Sequence, residues 1–269
     1  MSGRGTHRSE AHIALLIDAD NSPAGKIDVI LTELSTFGVT NVRRAYGNWK
    51  KSELKGWEEK LHEHAIRPMQ QFDYSKGKNA SDMAMVIDAL ELLYTDRPDA
   101  FGIVSSDADF TPLVMHLRAK GAAVYGFGAQ KTPEPFVNAC SRFLYLDRLG
   151  TAEALETPVV PDAAATKDVA TPPKSTQPLR ATPEQLKKDA KLISLLRGAV
   201  IACEDEDGWA KVGQVGTHIG NKTSFDARNY GYSTLTKLLE ATGAFDLRDG
   251  GTSRVSVRDK RHFLASSVA

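Results

Sequence analysis

The chain has 269 residues, 41% of them apolar and 25% charged, a composition that supports one or two folded domains and excludes a chain disordered throughout. Its 34 Lys and Arg balance 34 Asp and Glu, which excludes a histone-like basic protein and an acidic tail protein without excluding charge segregation. Only Cys140 and Cys203 are present, so the thiols read as inert groups of a reducing compartment; no run approaches about 18 apolar residues, and the polar start lacks a signal-peptide core, so a cytoplasmic chain away from membranes is expected.

In chain order, residues 1–11 read as a disordered N-terminus, followed by the apolar run Ile13–Ile17, of the kind that fills a parallel strand buried on both faces. Ile27, Ile30, Leu31 and Leu34 then recur at helical spacing, with Gly38 placed for a left-handed helix cap. Short apolar runs at Val42–Tyr46, Ile66–Met69, Phe101–Ser105, Val124–Phe127 and Phe143–Leu146 predict further strands. Between them lie a helix carrying Met85, Val86, Ala89 and Leu90 and another carrying Val114 and Leu117, the latter ending near Gly121. Strand and helix alternating in this way predict a doubly wound, mostly parallel α/β sheet, whose ligand site lies at the carboxyl ends of the strands.

Residues 151–182 hold five of the 12 prolines among Ala, Thr and short polar residues, with no aromatic, and read as a semi-extended linker. Beyond it, Glu184–Ala202 predicts one helix, Val212, Val215 and Ile219 a second, and Ser233 a cap for a third carrying Leu235, Leu238 and Leu239. Ala244–Leu247 and Arg254–Val257 flank Asp249-Gly250-Gly251, a hairpin signal. Three helices and a hairpin give a small winged-helix pattern over 183–260, with 261–269 as a tail.

The chemistry is carried by carboxylates at strand ends. Asp18, Asp20 and Asn21 follow the first strand, Ser105, Asp107 and Asp109 close the fourth, and Asp82 opens a helix. Taken singly, an Asp after a strand is a turn former or a cap. Three groups at the same edge of one sheet instead point to a shared acidic crevice, whose mutual repulsion a hard divalent cation relieves. Asp88, six residues beyond Asp82, falls on another helix face; it and Asp73 read as structural or solvated.

Asp18-x-x-Asn21, Lys76-Gly77-Lys78-Asn79-Ala80-Ser81-Asp82 and Ser105-x-Asp107-x-Asp109-Phe110 resemble the motifs of an NYN domain of the PIN-like ribonuclease superfamily over about residues 12–147. The resemblance implies a metal-dependent endoribonuclease with a PIN-like sheet over 12–150. It places Asp18, Asp82, Asp107 and Asp109 around Mg²⁺ or Mn²⁺, with Asn21 and Ser105 in support. Ser106 and Asn79-Ala80-Ser81 depart from residues common in that family. Lys76 and Lys78 are candidates for phosphate contact, as are Arg44 and Lys50 in a basic stretch interleaved with Tyr46, Trp49 and Trp57.

Gly208-Trp209-Ala210, Asp226-x-Arg228-x-Tyr230-Gly231-Tyr232 and Leu235-x-x-Leu238-Leu239 resemble a LOTUS (OST-HTH) domain. This implies an RNA-binding or protein-docking module, for which Lys211 and Lys237 are candidate contacts, while Arg228 has the alternative of pairing with Asp226. Two other readings stand beside the nuclease. One is a non-catalytic RNA-binding scaffold. The other is a phosphatase of the haloacid-dehalogenase kind, in which Asp18 would attack phosphorus, Asp20 would act as acid and base and Ser22 would assist. No P-loop or dinucleotide fingerprint occurs, and no Cys or His pair has zinc spacing.

Overall fold

The computed structural model describes residues 10–72, 79–149, 180–250 and 254–261. Six strands, β1 (His12–Asp18), β2 (Val39–Gly47), β3 (Arg67–Gln70), β4 (Ala100–Val104), β5 (Ala123–Gly128) and β6 (Arg142–Tyr145), form one sheet in the order β3-β2-β1-β4-β5-β6. All five pairings are parallel. Five helices accompany them: α1 (Ile27–Ser35), α2 (Lys55–Glu63), α3 (Ala80–Thr95), α4 (Thr111–Ala119) and α5 (Glu134–Ala139). All six expected strands are present, whereas α2 and the short α5 carry too little apolar periodicity for the sequence to announce them.

Alternation along β1 divides the core. Ala14 and Leu16 pack with α3, α4 and α5 through Met85, Leu117 and Phe136, while Ile13, Leu15 and Ile17 pack with α1 and α2 through Ile30, Leu34 and Trp57. Both faces being covered is why the β1 run is continuously apolar, and each such side chain contributes about 1.5–3 kcal/mol. Gly121 adopts the expected left-handed conformation (φ +94°) after α4, but Gly38 does not: a Cβ there would sit 2.1 Å from the Ala11 carbonyl oxygen, so close backbone approach demands the glycine.

The C-terminal unit contains α6 (Pro183–Lys188), α7 (Ala190–Ala202), α8 (Val212–Lys222) and α9 (Leu235–Thr242), with a three-stranded sheet, β7 (Ala210–Lys211), β8 (Phe245–Arg248) and β9 (Ser256–Asp259), in the order β7-β9-β8. The single helix expected over Glu184–Ala202 is broken at Asp189, whose side chain accepts from Leu192 N at 2.9 Å and restarts the helix as a cap. The cap of α9 is Thr234 rather than Ser233, accepting from Lys237 N at 3.2 Å. Arg180 to Thr182 belong to this unit, with Ala181 N donating to Tyr230 O at 3.0 Å and Thr182 capping α6. Residues 151–179 of the expected linker, residues 1–9 of the N-terminus and residues 262–269 of the tail lie outside the described residues.

This unit is seated on the edge of the large sheet. Asn229 is buried, its carboxamide accepting from Tyr145 N at 3.1 Å and donating to Phe143 O at 2.9 Å, so it serves the outward-facing peptide groups of β6 as a neighbouring strand would. Arg148 donates to Asn229 O. Arg228 grips Asp226 through two bonds, of 3.0 and 2.9 Å, and also reaches Glu33 on α1. Replacing Asn229 by Ala strands both groups of β6, and the expected outcome is a loss of about 1–3 kcal/mol of stability with faster hydrogen exchange at the Tyr145 amide; an unchanged exchange rate contradicts the docking.

Candidate active site

The strand order reverses between β1 and β4, because the chain first builds outward through β2 and β3 and then returns to the other side of β1. Ligand crevices in doubly wound sheets open at the carboxyl side of such a switch. The register sets Ile17 opposite Val104, so Asp18 and Ser105 leave the sheet side by side. Ser105 Oγ accordingly donates to Asp18 Oδ2 at 2.9 Å, and Asn21 Nδ2 reaches both oxygens of Asp18 at 3.2 and 3.1 Å. Asp18 is 1% exposed. Burial raises its pKa first, the bonds from Ser105 and Asn21 lower it in part, and the nearby Asp20 charge raises it again.

Asp107 follows at the start of the Ala108–Phe110 turn. Its Oδ1 accepts from Asp109 N at 2.9 Å, and its own N donates to Ser105 Oγ at 3.1 Å, so Ser105 orients both strand-end carboxylates. Asp109 is exposed at the rim. Asp82 enters from the first turn of α3. Its pKa is pushed up to about 6, first by burial and then by the charges of Asp18, Asp107, Asp20 and Asp109. Asp82 therefore lies close enough to the other three expected ligands to feel their charge, and the donors are hard oxygens throughout, which fits Mg²⁺ or Mn²⁺ and suits softer metals poorly.

Asp20 is the member that the sequence reading underused. Its Oδ2 accepts from Ser81 Oγ at 2.9 Å, which ties the β1 turn to the start of α3, and its Oδ1 pairs with Lys51 at 3.3 Å. Ser22, which the phosphatase reading requires at a phosphate, instead donates to Val104 O at 3.3 Å.

Arg44 ion-pairs with Asp88, which also accepts the Tyr46 hydroxyl, so its charge is met within the fold. Asp88 is thereby structural, 8% exposed and on the core side of α3. Tyr46 and Trp57 are core as well, while Lys50 is exposed above the Phe72 ring at 5.0 Å. Lys211 and Lys237 are exposed on the C-terminal unit, where Trp209 lies between Arg248 and Arg258, each 4.6 Å from its ring. Lys76 and Lys78 lie outside the described residues.

The tightest grouping of ligand-type atoms among the described residues lies elsewhere, at Asp28, Glu63 and His64. There Lys60 already sits 2.7 Å from Glu63 and 3.5 Å from Asp28, supplying the positive charge a cation would bring. Cys140 is buried and its thiol is pushed up to about 12 by burial, an inert group as expected. Among the described residues no helix is long and apolar enough to cross a membrane.

The family model of the NYN domain matches residues 12–147. The chain belongs to the NYN family. The OST-HTH/LOTUS domain model matches residues 184–257. A curated relative, an uncharacterized protein of Methanocaldococcus jannaschii, is 32% identical over 127 residues, covering 46% of this chain and 50% of its own length, so the chain spans about half of that relative. Two solved structures are similar. A protein of unknown function from Vibrio parahaemolyticus is 18% identical with a TM-score of 0.42, covering 52% of this chain and 96% of its own. An uncharacterized protein of Nitrosomonas europaea is 23% identical with a TM-score of 0.24, covering 38% and 92%.

Because the folded pKa of Asp82 exceeds its value in an unfolded chain, metal-free protein loses stability as pH rises from the ordinary carboxylate range through about 6. Asp82→Asn should therefore raise the metal-free melting temperature above pH 6 and leave it little changed near pH 4, and added Mn²⁺ should stabilise the unmutated protein more than the variant; melting curves with and without metal at both pH values check this. Arg44→Ala, by leaving the buried Asp88 carboxylate without its ion-pair partner, should cost about 3 kcal/mol in denaturant unfolding. A loss below about 0.5 kcal/mol, the usual range for a surface substitution, would show that the pair does not hold the fold.

Proposed function

We propose that this chain is an endoribonuclease that hydrolyses RNA phosphodiesters with Mg²⁺ or Mn²⁺ held by Asp18, Asp82 and Asp107, with Asp109 as an outer contributor. The observation that carries the reading is Asp82, held up to about 6 by burial and by four other carboxylates. A fold that needed no cation at this crevice would gain by replacing one of them. A divalent cation bound there supplies Lewis acidity toward the phosphate and a water acidified for attack.

The protein's own residues set the stage. Asn21 and Ser105 fix both oxygens of Asp18, and Ser105 also holds the Asp107 backbone, so the two strand-end carboxylates are oriented before substrate arrives. The Ser81–Asp20 bond locks the start of α3, which aims Asp82. RNA is the proposed partner, met by Lys50 on the first domain and by Lys211 and Lys237 on the second, with Lys76 and Lys78 as further phosphate contacts. The C-terminal domain is proposed as an RNA-binding module, with protein docking as its other role, and the cytoplasm as the place of action.

Asp107→Asn should abolish cleavage of single-stranded RNA in Mg²⁺ or Mn²⁺, by about a hundredfold or more, while circular dichroism and melting temperature hold. Cleavage unchanged in the variant contradicts the assignment. Tight RNA binding without turnover in either metal would favour the non-catalytic scaffold.

A further inference from the structure

We propose that the groove between α2 and the edge strand β3 is a subsite for a nucleobase of the RNA strand, with Trp49 as its stacking wall and hydrogen-bond donor. This rests on the nuclease reading above and names where that substrate is read. The groove is a cavity of about 460 Å³ lined by Trp49, Leu54, Ile66 and Pro68, with Lys55, Glu58 and His62 at its lip. An apolar slot with a few polar groups at its margin suits a flat heteroaromatic ring.

Three observations select a base over another occupant. First, Trp49 Nε1 is shut off from solvent and has no acceptor among the described residues, although the Trp49 backbone is anchored to Gln70 Oε1 at 3.1 Å. A buried donor without a partner is costly, and an occupant with ring nitrogens or carbonyl oxygens supplies what the fold withholds. The indole forms part of the groove wall, and the proposal requires its ring to turn so that the N–H meets such an occupant.

Second, the groove lies near the acidic crevice, with buried Gly47 packed between them. A side-chain carbon at Gly47 would lie 2.8 Å from Leu54 Cδ1 and 3.7 Å from the carboxyl carbon of Asp20, so the groove wall and the crevice share that corner. Lys51, paired with Asp20 at 3.3 Å, stands on the same loop as Trp49. Third, the exposed surface just beyond continues the same chemistry, with Phe72 47% exposed and the Lys50 ammonium 5.0 Å from its ring centre. Aromatic faces interleaved with cations track a single strand, the rings taking bases and the ammonium groups phosphates. A base in the Trp49 groove places its neighbouring phosphodiester toward Asp20 and the carboxylates behind it.

The test uses the full chain carrying Asp107→Asn, which binds without cutting, titrated with short single strands of oligo-A, oligo-C and oligo-U by fluorescence anisotropy. Trp49→Ala should weaken the preferred strand about ten- to hundredfold. Trp49→Phe, which keeps a ring and removes only the N–H, should retain most of that affinity while narrowing the differences among the three strands. Melting curves of both variants guard against a folding defect, and Trp49→Phe remains informative where Trp49→Ala unfolds. If both variants bind all three strands as the parent does, the subsite is overturned while the nuclease reading stands; this is also the outcome when a peptide segment occupies the groove. If the Asp107-intact protein neither binds nor cuts any strand in Mn²⁺, the nuclease reading fails and the subsite with it.

Discussion

The structure is organised around carboxylates that the sheet forces together. Parallel pairing of β1 with β4 puts Asp18 beside Ser105, the loop after β4 brings Asp107, and α3 lowers Asp82 toward both. Burial raises Asp82 and Asp18 first, the neighbouring carboxylates raise Asp82 further, and the Asp20 charge adds a little to Asp18. The surrounding residues do not relieve this repulsion so much as hold it in place. Asn21 and Ser105 stabilise the ionised form of Asp18, and Asp107 is spent in part on capping its own turn. Lys51 answers Asp20 rather than the centre of the cluster. On the proposed reading, a divalent cation is the complement of this arrangement.

The second domain is attached with comparable economy of means. A lone carboxamide, Asn229, satisfies the outer edge of β6, and the Asp226–Arg228 pair reaches across to Glu33. An unpaired sheet edge invites association with other chains, and here the chain's own C-terminal unit covers it. The balanced composition of 34 basic and 34 acidic residues is thus distributed into a local acidic crevice, internal ion pairs such as Arg44–Asp88, and exposed lysines on both units.

Much of this was legible in the sequence because it depends on local pattern. Short apolar or β-branched runs located all six strands of the large sheet, most clearly Ile13–Ile17 and β4, where burial on both faces leaves no polar position, and the Asp residues that follow those two runs marked the crevice. Asn21 was legible for the same reason, three residues from Asp18, and Ser105 through its place two residues before Asp107, whereas its bond to Asp18 spans 87 residues. What was not legible depends on distance across the fold. Arg44 meets Asp88 over 44 residues of sequence, so a basic residue in a basic stretch read as a nucleic-acid contact although its charge is consumed internally. Ser81 reaches Asp20 over 61 residues, and no local signal announces it. The break at Asp189 was missed because the apolar periodicity runs through it, although an Asp three residues before a helical Leu is itself a cap signal. Gly38 was read as a cap when the nearby Ala11 carbonyl is what requires it.

The most direct measurement is an anomalous-difference map from a crystal of the intact protein soaked in Mn²⁺. The account predicts a peak among the carboxylates of Asp18, Asp82 and Asp107, with Asn21 and Ser105 still bonded to Asp18. A map with no peak there, or with manganese only at Asp28, Glu63 and His64, would contradict it.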